Sequence, residues 1–97
     1  MDVIHELLAT PAAVEKLGAR SIASEEAQQL LDNRYVIYLN PGLRRRRREE
    51  RARRLVVGRT DGGRTLTLVV ERTREPTTWL IITGWEATAR ERKILGG

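Results

Sequence analysis

Residues 54–72 read Arg-Leu-Val-Val-Gly-Arg-Thr-Asp-Gly-Gly-Arg-Thr-Leu-Thr-Leu-Val-Val-Glu-Arg. β-Branched and apolar residues crowd both halves, and Asp61-Gly62-Gly63 between them supplies the positive φ angles that a tight hairpin requires. Two strands, Arg54 to Thr60 and Arg64 to Arg72, are therefore predicted. Upstream, Tyr35 to Leu39 is a short strand stopped by the turn residues Asn40-Pro41-Gly42. Downstream, Thr78 to Thr83 carries Trp79, Leu80, Ile81 and Ile82 in succession, as in a strand covered on two sides. Thr88 followed by Glu91 has capping-box spacing and opens a last helix, Ala89 to Leu95.

The front of the chain has helical spacing instead. Val3, Ile4, Leu7 and Leu8 stand at i, i+3 and i+4, which predicts a helix over residues 3–9. Thr10-Pro11 then offers a cap and first-turn proline for a segment from Ala12 to Leu17, ended by Gly18. Ser24 is a good N-cap for a helix over about residues 25–32. Glu25 and Glu26 sit at its positive end, and Ala27, Leu30 and Leu31 face the core. The expected order is α-α-β-β-β-β-α, an α+β fold around a central antiparallel sheet. Its parts are a helical front over 1–33, a sheet over 35–84 holding an arginine-rich loop at 44–54, and a C-terminal helix over 88–95. With 97 residues this is one domain.

Charge is divided along the same line. The chain holds 18 Lys+Arg against 13 Asp+Glu, net +5, and 16 of the cations are arginine. Residues 1–33 carry net −4 and residues 34–97 net +9. Arginine suits bidentate contact with phosphate or carboxylate, so an anionic partner is expected. The absence of cysteine excludes a disulfide framework, a thiolate zinc site and a cysteine nucleophile, and fits a reducing interior. No basic start followed by an apolar run is present, nor any apolar stretch of about 18 residues. A cytoplasmic protein without membrane contact is the expectation. The sequence has no HExxH, GxxxxGK[ST] or GxGxxG motif and no Ser-His-Asp set, which leaves cationic catalysis and no expected metal or cofactor.

Several residues are candidates for contact or chemistry. Arg44 to Arg54 holds eight arginines in eleven positions, including Arg44, Arg45, Arg46, Arg47, Arg48 and Arg54. Such a block repels itself and reads as a phosphate-binding arm, a solvated linker or a docking site for an acidic partner. Arg59, Arg64 and Arg72 lie in or beside the hairpin. Arg64 and Arg72 share a face with Leu66, Leu68 and Val70, since eight residues is an even separation in a strand. Cations flanking an apolar patch suit a phosphoryl transition state, and the alternative is edge arginines paired with Glu71, Glu75 or Glu86. Trp79 is large enough to fill the core. Trp85, after Gly84 at a strand end, either stacks on an unpaired base or packs. Tyr35 and Tyr38 point to opposite faces, which allows burial of one only. His5, the single histidine, sits far from any partner in sequence and is set aside as a catalyst.

The order of short motifs from Arg54 to Leu95 resembles the BrnT family of small bacterial ribonuclease toxins, within the RelE-like superfamily. The motifs are Arg54-Leu-Val-Val-Gly58, Thr60-Asp-Gly-Gly-Arg64-Thr-Leu, Val69-Val-Glu-Arg72, Ile82-Thr-Gly-Trp85-Glu-Ala-Thr88 and Glu91-Arg92. Upstream, Glu15-Lys16-Leu17-Gly18 and Glu25-Glu26-Ala27 are similar to the family's front segment, with a longer spacer. The resemblance implies a RelE-like sheet with flanking helices. It also implies a toxin that cuts RNA without metal by 2′-hydroxyl attack on the adjacent phosphate, so inhibiting translation. The partner it implies is a small ribbon-helix-helix antitoxin, with operator DNA contacted through that antitoxin. Lys16, Arg64, Arg72 and Arg92 match basic positions of the family. On this basis Arg64 and Arg72 are expected to stabilise the phosphorane, Lys16 or Glu91 to move protons, and Arg92 to position substrate. Arg54, Arg59, Trp85 and the 44–48 run are expected to bind RNA. Leu17 stands where the family has histidine, and Leu80 and Trp85 stand where many members carry arginine. The other class of reading is a non-catalytic basic module that docks nucleic acid or an acidic protein.

Overall fold

The computed structural model describes residues 2–39 and 53–96. Its elements are β1 (Glu6–Ala9), α1 (Pro11–Gly18), α2 (Ser24–Gln29) with a 3-10 turn at Leu30–Asp32, and β2 (Tyr35–Tyr38). They continue with β3 (Arg53–Arg59), β4 (Thr65–Arg72), β5 (Thr78–Glu86) and α3 (Ala89–Leu95). The strands form one sheet in the order β1-β5-β4-β3-β2. β2 through β5 are antiparallel neighbours, whereas β1 runs parallel to β5, with Leu7 beside Trp79 and Ala9 beside Ile81. Among the described residues the fold is α+β with a mixed five-stranded sheet and three helices.

Local chemistry explains most of these boundaries. Thr10 caps α1, its hydroxyl accepting from the Ala13 amide at 3.2 Å, and Pro11 occupies the first turn where no amide is needed. Gly63 takes the left-handed backbone, φ +87°, in the β3–β4 hairpin. Thr88 and Glu91 close a reciprocal capping box on α3, and Gly96 ends it at φ +89°.

Alternation along the strands gives the sheet two buried faces. On one, Leu7, Val56, Leu66, Leu68, Val70, Trp79 and Ile81 meet Leu17 of α1 and Ala27 and Leu30 of the α2 segment. On the other, Leu95 of α3 packs with Val57 and Ala87, joined by Val36 and Tyr38. A register shift opposite Val69/Val70 leaves Ile82 as an extra residue in β5, so Ile81 and Gly84 face the same core although three residues apart.

Four expectations need correction. Residues 3–9 do not form a helix: residues 6–9 are β1, with Ile4 and Leu7 buried and Val3 and Leu8 40% and 43% exposed. The four apolar positions mimic a helical stripe, but backbone pairing to β5 decides the conformation. The sheet is accordingly mixed, and the order is β-α-α-β-β-β-β-α. Second, Ala23 rather than Ser24 caps α2, its amide donating to Glu26 Oε1 at 3.1 Å, and the helix tightens into the 3-10 turn after Gln29. Third, β5 extends through Glu86, which places Trp85 within a strand. Fourth, both tyrosines are half-buried, because both faces are covered at β2.

Candidate nucleic-acid interface

β1 stops opposite Ile81, so on that side β5 continues past Ile81 with no strand partner among the described residues. Here α1 lies very close. A Cβ on Gly84 would come within 2.7 Å of Leu68 Cδ2 and 3.0 Å of Leu17 Cδ2, so glycine is what admits this approach. Arg20, two residues beyond α1, crosses the open edge. Its Nη1 donates to the Gly84 carbonyl at 2.8 Å, and its guanidinium lies over the Trp85 ring, 5.8 Å from the centroid. Lys16, Ala19, Arg20 and Thr83 line a cleft of about 410 Å³ at this edge. Both cations are exposed. Two cations beside an open strand edge, one of them seated on an indole, suit a phosphate.

The Trp85 ring is held at its nitrogen edge. Its Nε1 donates to Glu91 Oε1 at 3.0 Å, and the same oxygen accepts from the Thr88 amide at 2.8 Å. Burial pushes the Glu91 carboxyl up, but the Thr88 amide, the Trp85 indole and the Thr67 and Thr88 hydroxyls outweigh it and hold the group below the ordinary carboxylate range. Tyr38 is pushed the opposite way, by burial first and then by the Glu91 charge.

A pH dependence follows. Glu91 has a depressed folded-state value, so its stabilisation is present above the unfolded carboxylate value and is lost as pH falls through the folded one. Glu91→Gln is therefore expected to be less stable than the parent at neutral pH, by about 1 kcal/mol for a partly solvated carboxylate. Urea unfolding at a series of pH values should show the gap closing on acidification; a gap independent of pH would remove the ionised Glu91 from this role.

The other expected site residues are divided between the two ends of the sheet. Arg64 lies at the hairpin end, where its Nη1 donates to the Ser21 carbonyl at 2.8 Å and to Glu26 at 3.2 Å. Ser21 has φ +59°, an uncommon backbone for serine, so this contact pins the strained turn next to Arg20. Arg72 lies at the far end of β4, eight residues away, or about 26 Å of extended chain. It pairs with Asp2 at 2.8 Å and stands over Trp79. The apolar stretch between the two arginines is not an open patch: Leu66, Leu68 and Val70 are fully buried beneath the helices. Neither arginine pairs with Glu71, Glu75 or Glu86 in the contacts described; Glu71 binds Arg53 instead, at 3.1 Å.

Arg54 joins Arg72 on Asp2, with Nε 2.8 Å from Oδ2. Arg59 is exposed at the end of β3 and Arg92 is exposed on α3. Arg44, Arg45, Arg46, Arg47 and Arg48 lie outside the described residues. Trp85, with Glu91 on its indole nitrogen, is thus joined by Arg20 to the edge that Lys16 flanks. The signal for Arg20 was its i+4 spacing from Lys16 just beyond the helix end. Compared with protein-family models and with curated proteins, the chain matches none.

Proposed function

We propose that the protein is an RNA-cleaving enzyme of the RelE-like toxin kind, acting without metal at the Lys16–Arg20–Trp85 edge. The observation that carries this reading is Arg20, fixed on the Gly84 carbonyl and stacked on Trp85 beside Lys16. Attack of a 2′-hydroxyl on the adjacent phosphate forms a cyclic phosphate and releases a 5′-oxygen. The 2′-hydroxyl proton passes to water as its oxygen attacks, and the reaction needs cations for the charge that builds on the phosphorane and an acid for the leaving oxygen. Arg20 and Lys16 supply the first, and the Lys16 ammonium supplies the second. Trp85 offers a stacking face, and Glu91, held ionised by its donors, is a positioning residue for the indole. Arg64 acts through Ser21 on the placement of Arg20. The motif order and the α+β fold support the further reading that a small antitoxin silences the protein in a cytoplasm. No helix among the described residues is long and apolar enough to cross a membrane.

The test is incubation of the purified chain with single-stranded RNA in excess chelator. Fragments ending in 2′,3′-cyclic phosphate are the expected product. Intact RNA with measurable binding would favour the non-catalytic module, a reading supported by the carboxylate partners of Arg64 and Arg72.

A further inference from the structure

The end of the sheet opposite the hairpin holds a second cationic arrangement. Arg54 of β3 and Arg72 of β4 point from the same sheet face onto one carboxylate, that of Asp2, each at 2.8 Å. Arg54 is well covered, its side chain 14% exposed, whereas Arg72 is 52% exposed. Arg72 is further held over Trp79, 5.5 Å from the ring centroid. An adjoining cleft of about 360 Å³ is lined by Asp2, Arg72, Thr73, Arg74, Glu75 and Trp79, among others.

Two convergent guanidinium groups on a stacked, partly covered platform are the donor geometry that arginine presents to phosphate oxygens. The group now between them is the Asp2 carboxylate. Behind Asp2, the chain is fixed by Trp79 Nε1 on the Val3 carbonyl at 3.1 Å and by the His5 amide on Thr77 at 2.8 Å. Asp2 lies outside β1, whose pairing to β5 starts at Glu6, so its carboxylate can leave the two guanidinium groups without unpairing that strand. The Arg72 arm of this pairing, more than half exposed, is a weak competitor for its own site.

We infer that Arg54 and Arg72 form a phosphate-binding site of which Asp2 is the built-in occupant, displaced when a phosphate of single-stranded RNA arrives. Glu75 at the rim and Arg74 beside it set the local balance, and removal of the Asp2 charge shifts that balance toward anions. The RNA source rests on the function proposed above, but the site is read by binding and not by cleavage.

The experiment compares the full chain with D2N, using inorganic phosphate and a 2′-O-methylated RNA oligonucleotide that cannot be cut. Asparagine keeps the size of Asp2 and removes its charge. D2N is expected to bind both probes roughly five- to tenfold more tightly, the gain that loss of a weak intramolecular competitor allows. The double variant D2N/R72Q should lose that gain. Unchanged or weaker phosphate binding in D2N would overturn the site, and a gain for inorganic phosphate alone would overturn the RNA source. If D2N does not fold, R72Q in the parent chain reads the same site. Thermal protection by phosphate should vanish in R72Q, and its persistence would overturn the inference. Failure of the parent chain to cut RNA leaves every one of these readouts standing.

Discussion

Trp79→Ala is expected to lower stability by about 3–5 kcal/mol, the range for removing a large buried aromatic. A domain of this length holds only about 5–15 kcal/mol in all, so much of the folded population is at stake. Trp79 is 2% exposed and sits where the parallel strand β1 meets β5, opposite Leu7 and beside Arg72 of β4. Its indole also donates to the Val3 carbonyl, tying the chain ahead of β1 to the sheet. Trp79→Phe keeps most of the volume and drops that hydrogen bond, so a smaller loss of about 1 kcal/mol is expected. Urea denaturation of the two variants separates bulk from bond. An alanine variant with the parent's midpoint would show that the ring is not a core residue.

On the function proposed above, Arg20→Ala is expected to lower the single-turnover rate of RNA cleavage by about 100- to 1,000-fold, the range for loss of one preorganised group at a developing anion. Arg20→Lys keeps the charge but not the planar guanidinium that spans the Gly84 carbonyl and the indole face, and should fall between. Near-ultraviolet circular dichroism reports whether the aromatic packing survives in both. Full cleavage by a folded Arg20→Ala protein would detach the reaction from this edge.

How far the sequence carried the fold differs from element to element, for identifiable reasons. The β3–β4 hairpin was legible because Asp61-Gly62-Gly63 encodes a backbone that few other residues adopt, and α3 because Thr88 and Glu91 encode their own hydrogen bonds. Both signals are local. β1 was misread because a four-residue edge strand shows too few alternations to outweigh a chance helical spacing, and its partner lies far along the chain. The candidate site divides in the same way. Even spacing placed Arg64 and Arg72 on one face correctly, yet nothing local said that α1 and α2 would cover Leu66, Leu68 and Val70 between them. Leu17, noted for standing in a histidine's place, proves to be core packed near Gly84. Arg20 carried only its spacing from Lys16 as a local signal, whereas the carbonyl that fixes it lies 64 residues away.

The pairing of the first strand with the last also orders events during synthesis. Glu6 and Thr78, partners in the sheet, are separated by 72 residues. On a translating ribosome β1 and α1 emerge first and wait, since chain is delivered at about 5–20 residues per second and their seat on β5 is made last. Trp79, the Gly84 carbonyl and Trp85 all belong to that late strand. A nascent chain therefore carries Lys16 and Arg20 before the Gly84 carbonyl and Trp85 are there to hold Arg20, and the cationic edge assembles only after β5 has left the tunnel. Premature termination anywhere before β5 yields a fragment that lacks the edge altogether.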